Sequence, residues 1–181
     1  MRDLSLHTLD LIENSIRAEA SIISVTVEVN YDRDALTIVV EDNGSGLSMS
    51  PDAATNPFCT TKNGKRTGLG LSLFRAAAEQ AGGRLTLSKS GLGGVAVRAT
   101  MRLSHIDRSP LGDLAATLSS VACTNPDVDL RCRFRVGERE CVVRVSDVAK
   151  GLPLRECRGL AVARQVSDRI KSALAELEVM A

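Results

Sequence analysis

Four polar residues recur at helical spacing near the start of the chain. They are His7, Asp10, Asn14 and Arg17, at intervals of three and four, so they share one face of a helix predicted over residues 3–19. The residues that border this polar stripe are apolar: Leu4, Leu11 and Ala18 on one side, and Leu9, Ile12 and Ile16 on the other. A solvent-facing stripe is normally bordered by more polar residues, so the pattern predicts that this one lines a cleft.

Strand-like alternation follows the first helix. Apolar residues at every second position predict a hairpin with strands over residues 23–29 and 36–40. A polar loop over 48–66 precedes a second helix, which ends at Gly82 and Gly83, and the pattern then predicts strands over 84–89 and 95–103. This order of elements predicts an α+β fold, a two-layer α/β sandwich with a mixed sheet and helices on one face.

The composition shifts at His105, and the remaining residues predict an αββα unit. Its helices are expected over 111–123 and 160–177, with a hairpin between them. Gly137 suits a two-residue turn, which sets Phe134 opposite Cys141 and Cys132 opposite Val143. We therefore expect two domains, 1–104 and a small accessory domain over 105–181.

Composition and charge narrow the classes of protein to consider. Hydrophobic residues make up 44% of the 181-residue chain and charged residues 25%, which excludes wholesale disorder. The net charge is +1 and only 2% of residues are aromatic, so neither nucleic acid nor a membrane surface is the expected partner. Alternating arginines at 131, 133 and 135 are most simply an exposed hairpin face. The five cysteines have no metal-ligand spacing and are expected to be buried free thiols, which is typical of a cytoplasmic protein.

Four short motifs then occur in order along the first hundred residues. They are the segments 10–15 (DLIENS), 42–46 (DNGSG), 57–62 (PFCTTK) and 68–71 (GLGL). Together they resemble the N box, the two glycine boxes and the lid motif of the ATP-binding domain shared by gyrase, heat-shock chaperones, sensor histidine kinases and MutL, known as the GHKL or Bergerat fold. The resemblance implies that residues 1–104 form such a domain and that its cofactors are ATP and Mg²⁺.

The resemblance assigns roles to particular residues. It implies that Asp42 accepts a hydrogen bond from the adenine amino group, and that the amide oxygen of Asn14 is the protein ligand of Mg²⁺, a cation that prefers hard oxygen ligands. Helix N-termini favour phosphate, and glycines let the backbone approach it closely. The other expected nucleotide-binding residues are Arg17, Gly44, Gly46, Thr60, Thr61, Lys62, Lys65, Gly68, Leu69, Gly70 and Leu71.

Position 10 is the most informative for mechanism. Hydrolytic relatives carry a carboxylate four residues before the metal-binding asparagine, so the resemblance implies that Asp10 is catalytic and activates water. Its side chain is one methylene shorter than the usual Glu, and we therefore expect slow hydrolysis. Arg17 instead resembles the basic residue that kinases place after the asparagine. His7 is expected to be a helix residue at the edge of the cleft rather than a phosphate acceptor.

Three functional hypotheses remain open at this point. The first is a slow ATPase or ATP-dependent switch, and the second is a protein kinase that phosphorylates a serine or histidine of a separate partner protein. The third is a nucleotide-binding interaction module whose last helix supports a homodimer. Segments around residues 6–18, 57–61, 105–113 and 125–127 also resemble small ATP-binding proteins often encoded beside iron-only hydrogenase genes, which implies a regulatory or accessory role.

Overall fold

The computed structural model describes residues 3–46, 69–153 and 159–178. Its strands within these ranges are β1 (Ile22–Asn30), β2 (Ala35–Asp42), β3 (Arg84–Lys89), β4 (Val95–Arg102), β5 (Asp129–Val136) and β6 (Arg139–Arg144). Its helices are α1 (Leu4–Arg17), α2 (Leu69–Gln80), α3 (Leu114–Thr124), α4 (Val145–Lys150) and α5 (Leu160–Glu176).

The first helix is slightly shorter than its sequence pattern suggests. Asp3 is the N-cap rather than a helical residue, and its side chain accepts a hydrogen bond from the backbone N–H of Leu6 at 3.1 Å. Glu19 has a φ of +59°, in the left-handed region, which ends the helix before β1. Both ends of α1 are therefore set by local backbone chemistry, and its polar stripe stays intact between them.

All six strands belong to one mixed sheet in the order β3-β4-β2-β1-β5-β6. The pairs are antiparallel except for β1 and β5, which run parallel. Alternate residues point to one buried face, where Val25 lies between Val40 of β2 and Cys132 of β5. The helices pack on that face, so the predicted α+β architecture with a mixed sheet and helices on one side is confirmed.

The C-terminal residues extend the same sheet rather than forming one of their own. Strand β5 pairs with β1 along its whole length, so the predicted boundary between residues 104 and 105 does not coincide with a break in the sheet. The predicted register is confirmed, because Phe134 pairs with Cys141 and Cys132 with Val143. The sequence pattern missed α4, which follows β6 directly and turns the expected αββα order into αββαα.

The described cysteines differ in their burial. Cys123, Cys132 and Cys141 are free thiols, but only Cys132 is fully buried, and burial raises its pKa to about 12. The expectation that all the cysteines are buried is therefore wrong for Cys123 and Cys141, which are partly exposed. Cys59 and Cys157 lie outside the described residues. Within the described part of the chain, none of the helices has the length and apolar character needed to cross a bilayer.

Candidate nucleotide site

A cavity of about 200 Å³ lies between α1 and the sheet, at the end of β2. Its lining is mostly apolar, with a few polar groups at one end, as is typical of a ligand pocket. The lining residues are Leu11, Asn14, Ser15, Ala18, Val40, Asp42, Gly46, Leu71, Leu87, Val95 and Val97. The cavity thus lies where α1, the start of α2 and the turn over residues 42–46, called here the DxGxG turn, come together.

Asp42 is the buried carboxylate among the described residues that line this cavity. It is only 5% exposed, and three donors hold its carboxylate in place. Oδ1 accepts hydrogen bonds from the backbone N–H of Gly44 at 3.0 Å and of Val95 at 3.1 Å, while Oδ2 accepts one from the Ser15 hydroxyl at 2.6 Å. A carboxylate offers about four acceptor positions, so one remains for a ligand in the cavity.

Two glycines allow the backbone to close around Asp42. The N–H of Gly94 donates to the Asp42 carbonyl at 3.0 Å, and a Cβ at position 94 would collide with the Asp42 carboxylate and lie 2.7 Å from the Gly44 nitrogen. A Cβ at Gly44 would lie 2.7 Å from the Ala18 carbonyl oxygen at the end of α1. Gly44 in the DxGxG turn therefore lets that turn pack directly against the helix.

Asn14 and Arg17 form a local cluster on α1 with Glu13. The Asn14 side chain is exposed at the cavity, and its Oδ1 accepts a hydrogen bond from Arg17 Nη1 at 2.7 Å. Arg17 also donates from Nη2 to Glu13 Oε2 at 2.9 Å. The guanidinium thus lies along the helix surface, against the amide oxygen that the sequence assigns to Mg²⁺.

Asp10 lies on α1, one helical turn before Asn14, and its side chain contacts the start of α2. A Cβ on Gly70 would be 2.7 Å from Asp10 Oδ2, so this glycine permits the close approach of the two helices. Burial raises the pKa of Asp10, and the negative charge of Glu13 raises it further, whereas Arg17 opposes the shift. A partly desolvated carboxylate with a raised pKa is a stronger proton acceptor than an exposed one.

His7 is more deeply buried than a residue at the edge of a cleft. It is 3% exposed, and its ring stacks on Phe74 of α2 with the centroids 4.8 Å apart and the planes 11° from parallel. Its Nδ1 has no hydrogen-bond partner among the described residues. Burial lowers the pKa of His7 to about 4, so the ring is neutral at physiological pH. The polar stripe therefore begins inside the α1–α2 contact and opens to the cavity only further along the helix.

His7 makes the stability of the fold sensitive to acid. Its pKa is about 4 when folded and 6.5 when exposed, so the unfolded chain binds the extra proton between these values and stability falls as the pH drops through this window. Through His7, the wild type should lose about 2 kcal/mol of unfolding free energy between about pH 7 and about pH 4.5. His7→Leu, whose side chain is close in volume, should lack this part of the loss. Urea unfolding of both proteins at the two pH values measures this difference, and equal losses in both would contradict it.

The structure brings together part of the predicted site. Asn14, Asp42, Gly46 and Leu71 line the cavity. Gly44 lies against Ala18 and Gly70 against the Asp10 side chain, and neither glycine is among the described residues that line the cavity. Thr60, Thr61, Lys62, Lys65, Gly68 and the side chain of Leu69 lie outside the described residues. Among the described residues, no cluster of three or more His, Cys, Asp and Glu side chains is arranged to hold a metal ion.

Sequence reasoning missed several residues that shape the cavity. Leu11, Ser15 and Ala18 share one face of α1 at intervals of four and three, and this face borders the polar stripe, so a signal for them was present. Gly94 and Val95 gave no such signal, because they reach Asp42 only through the pairing of β4 with β2.

This arrangement of helices, sheet and glycine-framed turns is that of a GHKL-type ATP-binding domain. Residues 2–105, more than half of the chain, match the sequence profile of the histidine kinase-, DNA gyrase B- and HSP90-like ATPases. The chain belongs to this family.

Individual relatives resemble different parts of the chain. The sensor protein TdiS of Thauera aromatica is 33% identical over 89 residues, which cover 45% of this chain and 16% of that protein. The ATP-binding domain of PrrB from Mycobacterium tuberculosis is 24% identical, with a TM-score of 0.43 over 54% of this chain and 64% of that one. The MutL ATPase domain of Aquifex aeolicus, solved with ADP, is 14% identical, with a TM-score of 0.42 over 96% of this chain and 70% of that one.

Proposed function

We propose that this protein binds magnesium-ATP in the cavity between α1 and the sheet, hydrolyses it slowly and uses nucleotide binding as a conformational switch in a regulatory or accessory role. The observation that carries the proposal is the buried Asp42 carboxylate, held by three donors beside an apolar cavity in a member of this ATPase family.

Adenine fits the chemistry of this cavity. The apolar side chains of Leu11, Val40 and Val97 suit the faces of a purine, and Asp42 offers a carboxylate acceptor at the polar end. Adenine carries an amino group that donates a hydrogen bond, whereas guanine carries a carbonyl oxygen at the same position. An acceptor fixed by Ser15, Gly44 and Val95 therefore selects for adenine over guanine.

The phosphates would extend from the cavity toward the start of α2. Helix N-termini present unpaired N–H groups and a favourable dipole to anions, and Gly70 lets the Asp10 side chain lie close to this end of the helix. Asn14 would provide a hard oxygen ligand for a magnesium ion bound with the phosphates. When bound, the ion supplies positive charge that offsets the charge of the phosphates. Arg17, which donates to Asn14 Oδ1, would lie beside this site with its guanidinium within reach of a phosphate.

Hydrolysis is assigned to Asp10. Its carboxylate lies beside Gly70 at the phosphate end of the site, and its raised pKa favours acceptance of a proton from an attacking water. The short side chain limits its reach, which supports slow turnover. A slow reaction suits a switch, because the ATP-bound state then lasts long enough for a partner protein to bind it.

An Asp42→Asn variant tests nucleotide binding. The amide preserves the size of the side chain but replaces one acceptor oxygen by an N–H₂ donor, which opposes the adenine amino group. We expect the Kd for magnesium-ATP to rise about 30-fold, equivalent to about 2 kcal/mol. Isothermal titration calorimetry with ATP and GTP measures both affinity and selectivity.

The matched control for this experiment is Asp32→Asn, the same chemical change at an exposed turn between β1 and β2. It should bind ATP as the wild type does. Unchanged ATP affinity in a folded Asp42→Asn protein would refute the proposed adenine contact, and wild-type protein that binds no ATP would refute the proposed function.

The second candidate function is a protein kinase that transfers phosphate from ATP to a serine or histidine of a separate protein. The family description, which includes histidine kinases, favours it, as does the contact of Arg17 with the proposed metal ligand Asn14. In a kinase, the nucleophile would be the serine or histidine of the partner protein, and Asp10 would not be needed to activate a water molecule.

A further inference from the structure

We propose that the face of the sheet opposite the helices carries a docking site for an acidic segment of a partner protein. The site is a cavity of about 260 Å³ at which the side chains of Arg131, Arg133 and Arg144 converge, called here the arginine pocket. Ser24, Glu41 and Leu92 complete its rim. This inference does not depend on ATP binding, because the arginine pocket and the nucleotide cavity lie on opposite faces of the sheet.

The strand register brings like charges together in this pocket. Arg131 of β5 and Arg144 of β6 are direct partners in the antiparallel ladder, so their side chains project side by side from the same face. Like charges at directly opposed positions destabilise a sheet, and residues of either opposite or no charge would pair better here. An anion held between the two guanidinium groups would convert this repulsion into attraction.

The structure neutralises the arginine pocket only in part. Arg131 donates from Nε to Asp129 Oδ2 at 2.8 Å, which uses one of its five N–H donors, and Arg133 lies 3.6 Å from Glu140. Arg144 is exposed and has no carboxylate partner among the described residues. Asp129 and Glu140 therefore offset Arg131 and Arg133, and the Arg144 guanidinium is left without an ion pair among the described residues.

The outer face of β5 and β6 has a local excess of positive charge, because arginines 131, 133, 135 and 144 share it with two acidic residues, Asp129 and Glu140. The sequence contains 23 basic and 22 acidic residues, so a random patch of surface would be close to neutral. Arginine binds carboxylates through paired, parallel hydrogen bonds, and three arginines around a small cavity suit one or two acidic side chains. The pocket thus has the charge and the donor geometry for Glu or Asp side chains of a partner.

The features of this face favour a polypeptide over a nucleic acid. Among the described residues, no aromatic side chain lines the arginine pocket, so these residues offer no platform for stacking bases. Glu41 lies within it and would repel a continuous phosphate backbone, whereas separate carboxylates of a peptide can avoid it. Val142, which is 43% exposed, and Leu92 add apolar surface that suits the side chains of a peptide.

Fluorescence anisotropy with three labelled probes tests the proposal on the full chain at low ionic strength. The probes are a 20-residue peptide of Glu, Asp and Leu, the same peptide with Gln and Asn in place of the acids, and a 20-nucleotide single-stranded DNA. We expect the acidic peptide to bind tightest, and Arg131→Gln combined with Arg144→Gln to weaken it at least about tenfold.

Two further variants separate docking from folding and from general charge. Arg144→Gln alone removes no ion pair within the described residues, so it should leave the thermal midpoint unchanged while weakening the acidic peptide several-fold. Arg164→Gln with Arg169→Gln removes two exposed charges from α5 and should leave peptide binding unchanged. Equal weakening by the α5 variant, tighter binding of DNA or of the neutral peptide, or no binding of the acidic peptide would each overturn the proposal.

Discussion

Replacing Asp10 by Asn should lower the rate of phosphate release from magnesium-ATP about 100-fold or more while leaving the affinity for ATP close to that of the wild type. The amide has nearly the same shape as the carboxylate, so the packing of Asp10 against Gly70 is retained. The amide cannot accept a proton from water, and general base catalysis typically accelerates a reaction about 100-fold or more. Single-turnover phosphate release measures the rate, and calorimetry measures the affinity.

The pH dependence of the wild-type rate provides an independent check on this role. Burial and Glu13 raise the pKa of Asp10, so its carboxylate is protonated at a higher pH than an exposed aspartate, and we expect hydrolysis to be lost at that higher pH. An Asn14→Ala variant serves as the binding control, because it should lose affinity as well as turnover. If Asp10→Asn released phosphate at the wild-type rate, the hydrolytic assignment would be wrong, and the kinase hypothesis would become the better one.

Replacing Gly94 by Ala should damage both the fold and the nucleotide site. The added Cβ would collide with the Asp42 carboxylate and crowd the backbone of Gly44, neither of which is the flexible end of a long side chain. Overpacking of this kind typically costs about 2–3 kcal/mol of unfolding free energy. We also expect the Kd for ATP to rise at least about tenfold, because Asp42 must move from its three donors.

Gly91→Ala is the matched control in the same turn between β3 and β4. A Cβ there meets no atom within 4 Å, and Gly91 does not need a left-handed backbone. Urea unfolding and ATP titration of the two variants should therefore differ sharply, with Gly91→Ala close to wild type. If both variants behaved alike, the close approach of Gly94 to Asp42 would not control the site.

Local patterns account for much of the fold. Alternation of apolar residues identified the strands within a few residues of their observed ends, because a strand with one buried face must place apolar side chains at every second position. The glycine at position 137 even predicted the β5–β6 register, since its φ of +58° suits the tight turn that sets the pairing. Helix α4 was missed, because six residues are too few to show a helical period.

The candidate site was predictable only in part. The spacing of Asp10 and Asn14 on one helix, and the placement of Asp42 before a glycine-framed turn, are visible in the sequence because they depend on local geometry. The N–H of Val95 that holds Asp42 belongs to a residue 53 positions away. Contacts at that separation arise from strand pairing, which a local pattern does not specify.

The sequence by itself determined the class of fold, the family motifs and the buried faces of the strands, because propensity and periodicity act over short distances. Only the tertiary structure decided that β5 pairs in parallel with β1, that His7 is buried on Phe74, and that the Val95 N–H donates to Asp42. These features depend on which surfaces meet when distant segments pack together. The packing of these surfaces minimises the free energy of the whole chain rather than of any one segment, so it is defined only in the folded molecule.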